Sequence, residues 1–212
     1  MPTLDHILLL LAALAVGFAA ETVYRQIRST NGPLVSRRYG VTELGFGAVT
    51  IWALAAAPTG ALFHSILLGW LLVMLARIDI ERFILPDLLN LAVLMLGASL
   101  LLDATNEARL NGVLGVVIGF GVFVGLDWLY ARYRGRSGLG RGDAKLIGAL
   151  GIWVGATSLP IVILIASGTA IVFIFATKAI SGRSVDGDTP VAFGPALAFA
   201  GWVTWLYGPI GI

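Results

Sequence analysis

The chain has 212 residues, of which 58% are hydrophobic and 12% charged, and its mean hydropathy is +0.92. A soluble domain carries roughly 25% charged residues, so this composition indicates an all-α polytopic membrane protein. We expect one transmembrane domain over residues 1–212. The chain has no cysteine, which excludes disulfides, thiolate zinc sites and a cysteine nucleophile. Two histidines and a net charge of +2 also disfavour a histidine metal site and nucleic-acid binding.

Apolar stretches predict about eight transmembrane helices, since a span needs roughly 20 predominantly apolar residues. The first stretch has no basic residue ahead of its apolar core, so we interpret it as a retained span and not as a cleaved signal peptide. Turn-forming or polar residues separate the spans, as at Pro58-Thr59-Gly60 and Asp103–Arg109. The predicted spans cover residues 4–24, 42–57, 60–78, 86–103, 111–131, 144–156, 158–178 and 190–209.

The basic residues assign an orientation to these spans. Of the 14 lysines and arginines, all but Arg109 fall in or beside the loops that follow spans one, three, five and seven. The positive-inside rule makes those loops cytoplasmic and puts both termini on the other side. Glycines four residues apart also predict close packing between helices in lipid. These pairs are Gly115 and Gly119, Gly121 and Gly125, and Gly151 and Gly155.

Acidic residues near the spans are candidates for function, because a charge at the centre of a membrane helix costs roughly 2.5–3.5 kcal/mol. Asp79 falls at the carboxyl end of span three, where the helix dipole disfavours an acid. Asp87 opens span four, where the dipole favours it, so a capping role and a catalytic role both stay open. The acids near the cytoplasmic ends of spans are Glu21, Glu43, Asp79, Glu81, Asp87, Asp127 and Asp143.

Asp143 follows three glycines at alternate positions, 138, 140 and 142, which give a backbone that can approach a substrate closely. It opens span six, so capping remains an alternative role for it too. Asp79 and Asp143 share one predicted membrane face. Two carboxylates held close together share a proton, and such a pair can activate water and polarise a peptide carbonyl.

The motifs around these acids resemble those of type IV prepilin peptidases. Asp79 with Leu85-Pro86-Asp87 is similar to the first catalytic motif of that family, and Gly140–Lys145 is similar to its Gly-x-Gly-Asp-x-Lys motif. Ser36–Tyr39 with Glu43, and Phe193–Leu197, resemble two further family stretches. The resemblance implies that Asp79 and Asp143 are catalytic. It implies a supporting role in the motifs and substrate site for Glu43, Pro86, Asp87, Gly140, Gly142, Lys145, Gly194 and Pro195.

The resemblance also implies an activity and a location. An aspartic endopeptidase of this type removes the leader of prepilins or pseudopilins after a glycine, for pilus biogenesis or type II secretion. Its site faces the cytoplasm in the bacterial inner membrane, among lipid, and it needs no metal or cofactor. Bifunctional relatives also methylate the new N-terminus and carry a larger cysteine-containing loop after span one. Residues 25–41 form a shortened loop without cysteine here, so we expect a peptidase alone. Because Glu43 is present, the bifunctional peptidase/N-methyltransferase stays an alternative.

Three other functions remain open on the sequence. Presenilin-type membrane proteases also use a Gly-x-Gly-Asp motif, and Pro195-Ala196-Leu197 matches a tripeptide of theirs, but Asp79 lacks their preceding tyrosine. An ion-coupled transporter would use membrane carboxylates as a relay, although no internal repeat is evident. In an assembly factor, the acids would only cap helices.

Overall fold

The computed structural model describes residues 41–135, 140–181 and 192–208 of the chain. Within these ranges every regular element is helical and no strand is present, which confirms the all-α prediction for this part. The elements in chain order are α1 (Val41–Ala56), α2 (Leu62–Arg82), α3 (Asp87–Leu100), α4 (Asn106–Arg134), α5 (Arg141–Val154), a 3-10 turn (Ala156–Ser158), α6 (Leu159–Ser181) and α7 (Gly194–Tyr207).

Three helical segments are long and apolar enough to cross a membrane: Leu62–Arg82, Asn106–Arg134 and Ala156–Ala176. Helices α1 and α3 are apolar but shorter. Helices α5 and α7 have 14 residues each, or about 21 Å at the usual rise per residue, against a hydrocarbon core of about 30 Å. The total of eight spans therefore stays a prediction, and the span predicted at 4–24 lies outside the described residues.

Local capping explains why α4 is longer than the span predicted at 111–131. The Thr105 hydroxyl accepts a hydrogen bond from the Ala108 N–H and starts the helix five residues earlier than the hydropathy pattern indicates. Gly135, with φ of 71°, ends it in the left-handed conformation that glycine adopts without strain. The helix thus extends beyond the apolar stretch at both ends.

The chain divides into two compact units, Met1–Met74 and Leu75–Ile212, and the prediction of one domain over residues 1–212 stays a prediction. In the described part of the first unit, α1 packs against the amino-terminal part of α2. The rings of Phe46 and Trp70 lie 5.7 Å apart, and Trp70 Nε1 donates to Thr50 Oγ1 at 3.0 Å. A turn with Gly60 at φ 80° joins the helices, as predicted.

In the second unit, α5 is the central helix. It packs against α3, α4 and α7, and α6 packs against α7. Leu146, Ile147 and Leu150 of α5 are fully buried. Trp153 near the end of α5 donates to the Val93 carbonyl of α3 at 2.9 Å, so a buried indole N–H finds its partner on the neighbouring helix. This packing holds the first turn of α5 in a defined position.

Glycine brings α4 and α5 into backbone contact. A Cβ added at Gly115 would lie 2.2 Å from the Gly151 carbonyl oxygen, and one at Gly119 would lie 2.9 Å from the Ile147 oxygen. The predicted close packing is thus present at these positions. Gly121, by contrast, has open space around its Cβ position among the described residues, and so has Gly125.

This difference gives a matched pair of alanine substitutions on one helix. Gly115→Ala is expected to destabilise the protein by about 1–3 kcal/mol or more, because the methyl group must push two helix backbones apart. Gly121→Ala is expected to be neutral or slightly stabilising, since alanine has the higher helix propensity. Thermal unfolding of both variants in the same detergent checks this. Equal melting temperatures for the two would contradict the α4–α5 contact.

Arg109 was the one basic residue outside the predicted cytoplasmic loops, and its contacts explain the exception. Its guanidinium donates to the carbonyl oxygens of Leu101 and Leu102, at 2.7 and 2.6 Å. Leu101 is the C-cap of α3 and Leu102 follows it, at a helix end where backbone acceptors lack helical partners. Arg109 therefore caps a helix, a role that does not depend on the side of the membrane.

Candidate active site

Asp79 lies in the last turn of α2, and its side chain is buried, with 5% of the residue exposed. The carboxyl end of a helix carries partial negative charge and disfavours an acid, as the sequence indicated. A buried carboxylate at this place therefore needs a hydrogen-bond donor from another element.

The donor comes from the first residue of α7. The Gly194 N–H donates to Asp79 Oδ2 at 2.9 Å, joining residues 115 positions apart in the chain. A Cβ at position 194 would lie 2.7 Å from that same oxygen. Position 194 thus requires glycine for the backbone to come this close to the carboxylate.

Asp143 lies in the first turn of α5, two residues after the helix begins at Arg141. Its side chain is half-buried, and its Oδ2 lies close to Gly140, the N-cap residue of α5, so the capping alternative stays open. Burial, and secondarily the negative charge of Asp79, raises the pKa of Asp143 to about 7. A carboxyl group with this pKa keeps its proton in a large share of molecules near neutral pH.

Both aspartates line one open cavity of about 280 Å³. Its walls come from the end of α2, the turn into α3 and the start of α5. The lining combines apolar side chains from the turn between α2 and α3 with charged and polar groups, as is usual for sites that bind organic ligands. The lining residues are Asp79, Phe83, Ile84, Leu85, Asp87, Gly140, Arg141, Gly142 and Asp143.

The turn between α2 and α3 shapes this cavity. Phe83 ends α2 with φ of 55°, a left-handed conformation that a bulky residue rarely adopts. Its N–H donates to the Asp79 carbonyl oxygen at 2.8 Å. The turn buries Leu85 beneath the first turn of α5, where a Cβ at Gly142 would lie 2.9 Å from Leu85 Cβ. Gly142 therefore allows the two motifs to touch.

The motif residues Asp87 and Lys145 form an ion pair, with Lys145 Nζ 2.5 Å from Asp87 Oδ1. Asp87 is the first residue of α3, and its helix has Pro86 as N-cap without a side-chain capping bond. Pro86 thus lies one position before the helix, where its lack of an N–H costs nothing. The pair links the starts of α3 and α5 beside the cavity, which gives Asp87 a contact that capping alone does not explain.

Because this ion pair is largely exposed, removing it should have a small effect. Lys145→Gln and Asp87→Asn are each expected to lower activity less than tenfold, since exposed pairs contribute about 0–1 kcal/mol. Steady-state cleavage rates of the two single variants and the double variant measure the coupling. A loss above 100-fold in Asp87→Asn alone would instead mean that Asp87 takes part in the chemistry.

The remaining predicted site residues divide by location. Pro195 is the second residue of α7, directly after Gly194. Glu43 belongs to α1 in the first unit, and its buried Oε2 has no hydrogen-bond partner among the described residues. The shortened loop at 25–41 lies outside the described residues apart from Val41. Among the described residues, no group of three or more histidine, cysteine or acidic side chains could hold a metal ion.

Sequence reasoning did not select four of the cavity residues as site residues: Phe83, Ile84, Leu85 and Arg141. Ile84 lies between the two acids of the first motif, and Arg141 lies between the two glycines of the second. Their position within the motifs was the available signal. The apolar character of Phe83, Ile84 and Leu85 did not distinguish them, because 58% of the chain is hydrophobic.

The sequence profile of the type IV leader peptidase family matches residues 66–175, a segment that contains both cavity aspartates. The chain belongs to this family. It is 35% identical over 175 residues to a prepilin leader peptidase/N-methyltransferase of Aeromonas salmonicida, covering 82% of this chain and 60% of that protein. Proteins with the same name from Aeromonas hydrophila and Stutzerimonas stutzeri are 35% and 33% identical, with the same two coverages.

The chain therefore spans about 60% of the length of these curated relatives of the type IV leader peptidase family. No solved structure matches it. The family match confirms the resemblance that was based on the two aspartate motifs. Because the rest of the relatives' length is not aligned with this chain, the match alone does not transfer the activities in their names to it.

Proposed function

We propose that this protein is a membrane aspartic endopeptidase that removes the leader peptide of type IV prepilins or pseudopilins. The observation that carries the proposal is that Asp79 and Asp143, 64 positions apart (143 − 79), line the same cavity. Membership of the type IV leader peptidase family and the names of the relatives support the substrate class.

The proposed chemistry is hydrolysis by water held between the two carboxyl groups. One carboxylate takes a proton from the water as its oxygen bonds to the scissile carbonyl carbon, and the other carboxyl donates a hydrogen bond to the carbonyl oxygen. The raised pKa of Asp143 supports this division, because the reaction needs one protonated and one ionised acid. No covalent intermediate is required.

The proposed location is the bacterial inner membrane, with the cavity on the cytoplasmic side. The basic residues near the cavity end of the described helices support this orientation through the positive-inside rule. They include Arg77, Arg82, Arg132, Arg134, Arg141 and Lys145. We propose that a prepilin approaches through lipid and presents the residues next to its apolar helix, with the cut after a glycine. The apolar lining residues Phe83, Ile84 and Leu85 suit the residue that follows the glycine.

The test is cleavage of a synthetic prepilin segment by the purified full chain in detergent. The expected product is a fragment cut after the glycine, identified by mass spectrometry. Asp103→Asn, an exposed change in the α3–α4 loop, is the matched control and should cleave at the wild-type rate. Intact substrate after incubation with folded protein, across prepilin and pseudopilin segments alike, would overturn the proposal.

The names of the relatives include N-methyltransferase activity, and the proposal here is limited to the peptidase. The same experiment with S-adenosylmethionine added separates the two. A product that has only lost its leader supports a peptidase alone. A product that also gains the mass of one methyl group restores the bifunctional alternative.

A further inference from the structure

One backbone N–H at the start of α7 has no partner within its own helix, and it donates a hydrogen bond to Asp79 on α2. Phe193 precedes the helix and provides no side-chain cap, while Pro195 has no N–H. The N–H groups of Ala196 and Leu197 both donate to the Phe193 carbonyl oxygen, at 3.0 and 3.1 Å. The remaining N–H, that of Gly194, donates to the carboxylate on α2.

This contact determines what Asp79 Oδ2 can do. A backbone N–H can only donate, so the oxygen that it faces must accept and cannot carry a proton in that direction. The amino end of a helix also carries partial positive charge, which favours an ionised carboxylate. A hydrogen bond to a charged acceptor is stronger than one between neutral groups. The Gly194 contact thus favours the ionised form of Asp79, against the burial of this residue and its place at the carboxyl end of α2, which act in the opposite direction.

Asp143 has different surroundings. Among the described residues, burial and the charge of Asp79 act on its carboxyl group and no hydrogen-bond donor to it is observed, although the amino end of α5, where it lies, favours an ionised acid. Its Oδ2 lies against Gly140, where a Cβ would be 2.7 Å away. Half-burial without a donor favours the neutral form of a carboxyl group. Of the two acids in the cavity, Asp143 is therefore the one suited to hold a proton.

We propose that Asp79 is the ionised member that activates water, that Asp143 carries the shared proton, and that the Gly194 N–H is the positioning group that sets this order. The proposal rests on the peptidase function proposed above. It assigns different roles to the two aspartates and gives the α7 motif a part in the chemistry that does not involve contact with the substrate.

The proton movements balance under this assignment. As water bonds to the scissile carbonyl carbon, Asp79 takes a proton from it and Asp143 gives its own proton to the carbonyl oxygen. This yields a neutral gem-diol. The C–N bond then breaks as Asp79 passes its proton to the leaving nitrogen, and a hydroxyl proton of the gem-diol returns to Asp143. Both acids end in their starting states.

Other charged groups near the dyad do not reverse this order. Asp87 and Arg141 also line the cavity, and Lys145 pairs with Asp87. On α2 itself, Glu81 forms an ion pair with Arg77, and Arg82 ends the helix. Helix α7 carries no charged residue. Among the described residues, Arg141 is the basic residue that lines the cavity, whereas the Gly194 N–H donates its hydrogen bond to Asp79.

Two matched substitutions test the assignment through the pH dependence of kcat/KM. Gly194→Ala and Gly140→Ala each put a Cβ 2.7 Å from the Oδ2 of one aspartate, Asp79 in the first case and Asp143 in the second. We expect Gly194→Ala to move the acidic limb to higher pH by about one unit, since it weakens a hydrogen bond to a charged group. Gly140→Ala should move the basic limb and leave the acidic limb in place. The opposite pairing, or equal shifts of both limbs in either variant, overturns the proposal.

A second measurement does not depend on cleavage or on the glycine variants. Infrared difference spectra detect the C=O stretch of a protonated carboxyl group at about pH 5. We expect this band in wild type and in Asp79→Asn, and its loss in Asp143→Asn. A band that instead disappears in Asp79→Asn overturns the assignment. If the band is lost only in Asp143→Asn but no prepilin is cleaved, the assignment of the proton to Asp143 holds and the proposed peptidase function fails.

Discussion

Replacing Asp79 or Asp143 with asparagine is expected to lower the rate of leader cleavage by about 10²–10⁴-fold, the usual range for general acid–base groups. Asparagine keeps the size and shape of the side chain but cannot accept or deliver the proton that hydrolysis requires. Single-turnover rates with excess enzyme measure this step directly, because product release does not enter them. The double variant should be little worse than either single variant, since the two acids act as one unit.

Asp103→Asn and Asp87→Asn are the controls for these variants. They make the same chemical change on the same protein, one in an exposed loop and one beside the cavity. Wild-type rates for the first and a loss below tenfold for the second would restrict the effect to the two aspartates. Near-normal cleavage by either dyad variant, in protein whose thermal unfolding shows that it is folded, would contradict the peptidase mechanism.

Activity is expected to fall above pH 7, approaching about tenfold per pH unit, or about 50-fold between pH 7 and pH 9. Burial and the charge of Asp79 raise the pKa of Asp143 to about 7, so its proton is present below that pH and lost above it. The reaction needs that proton on one of the acids. A pH profile of kcat/KM with the purified protein measures the descending limb.

The stability of the folded protein should depend on pH through the same group, Asp143. Because the folded state binds this proton more tightly than the unfolded state, stability is lost as pH rises from about 4 towards the folded pKa of about 7. Asp143→Asn removes the loss and should unfold at a higher temperature than wild type at pH 8, while remaining inactive. An activity profile that is flat up to pH 9 would contradict the raised pKa.

The sequence was sufficient to place both aspartates at one end of the helices. The positive-inside pattern and the position of Asp79 at the carboxyl end of its helix indicated a shared face, and the cavity contains both acids. The turn-forming residues Pro58-Thr59-Gly60 also located the turn at Gly60. These features depend on periodicity, charge and turn chemistry, which can be read over a few residues.

Contacts between distant residues could not be predicted in this way. The hydrogen bond from Gly194 to Asp79 depends on how α7 packs, and nothing in the sequence around either residue specifies the partner. Glycine spacing was equally ambiguous. Gly115 faces α5, whereas Gly121 on the same helix has open space, although both belong to pairs with the same spacing. The difference arises from helix rotation, which hydropathy does not define in a helix that is apolar on most sides.

The most direct test of the account is co-expression of the full chain with a prepilin that has a Gly-Phe junction, followed by the intact mass of the prepilin recovered from membranes. The account predicts loss of the leader with the wild-type protein and with Asp103→Asn, and an intact leader with Asp79→Asn or Asp143→Asn. Leader loss that persists in either dyad variant, in cells that lack another prepilin peptidase, would contradict it.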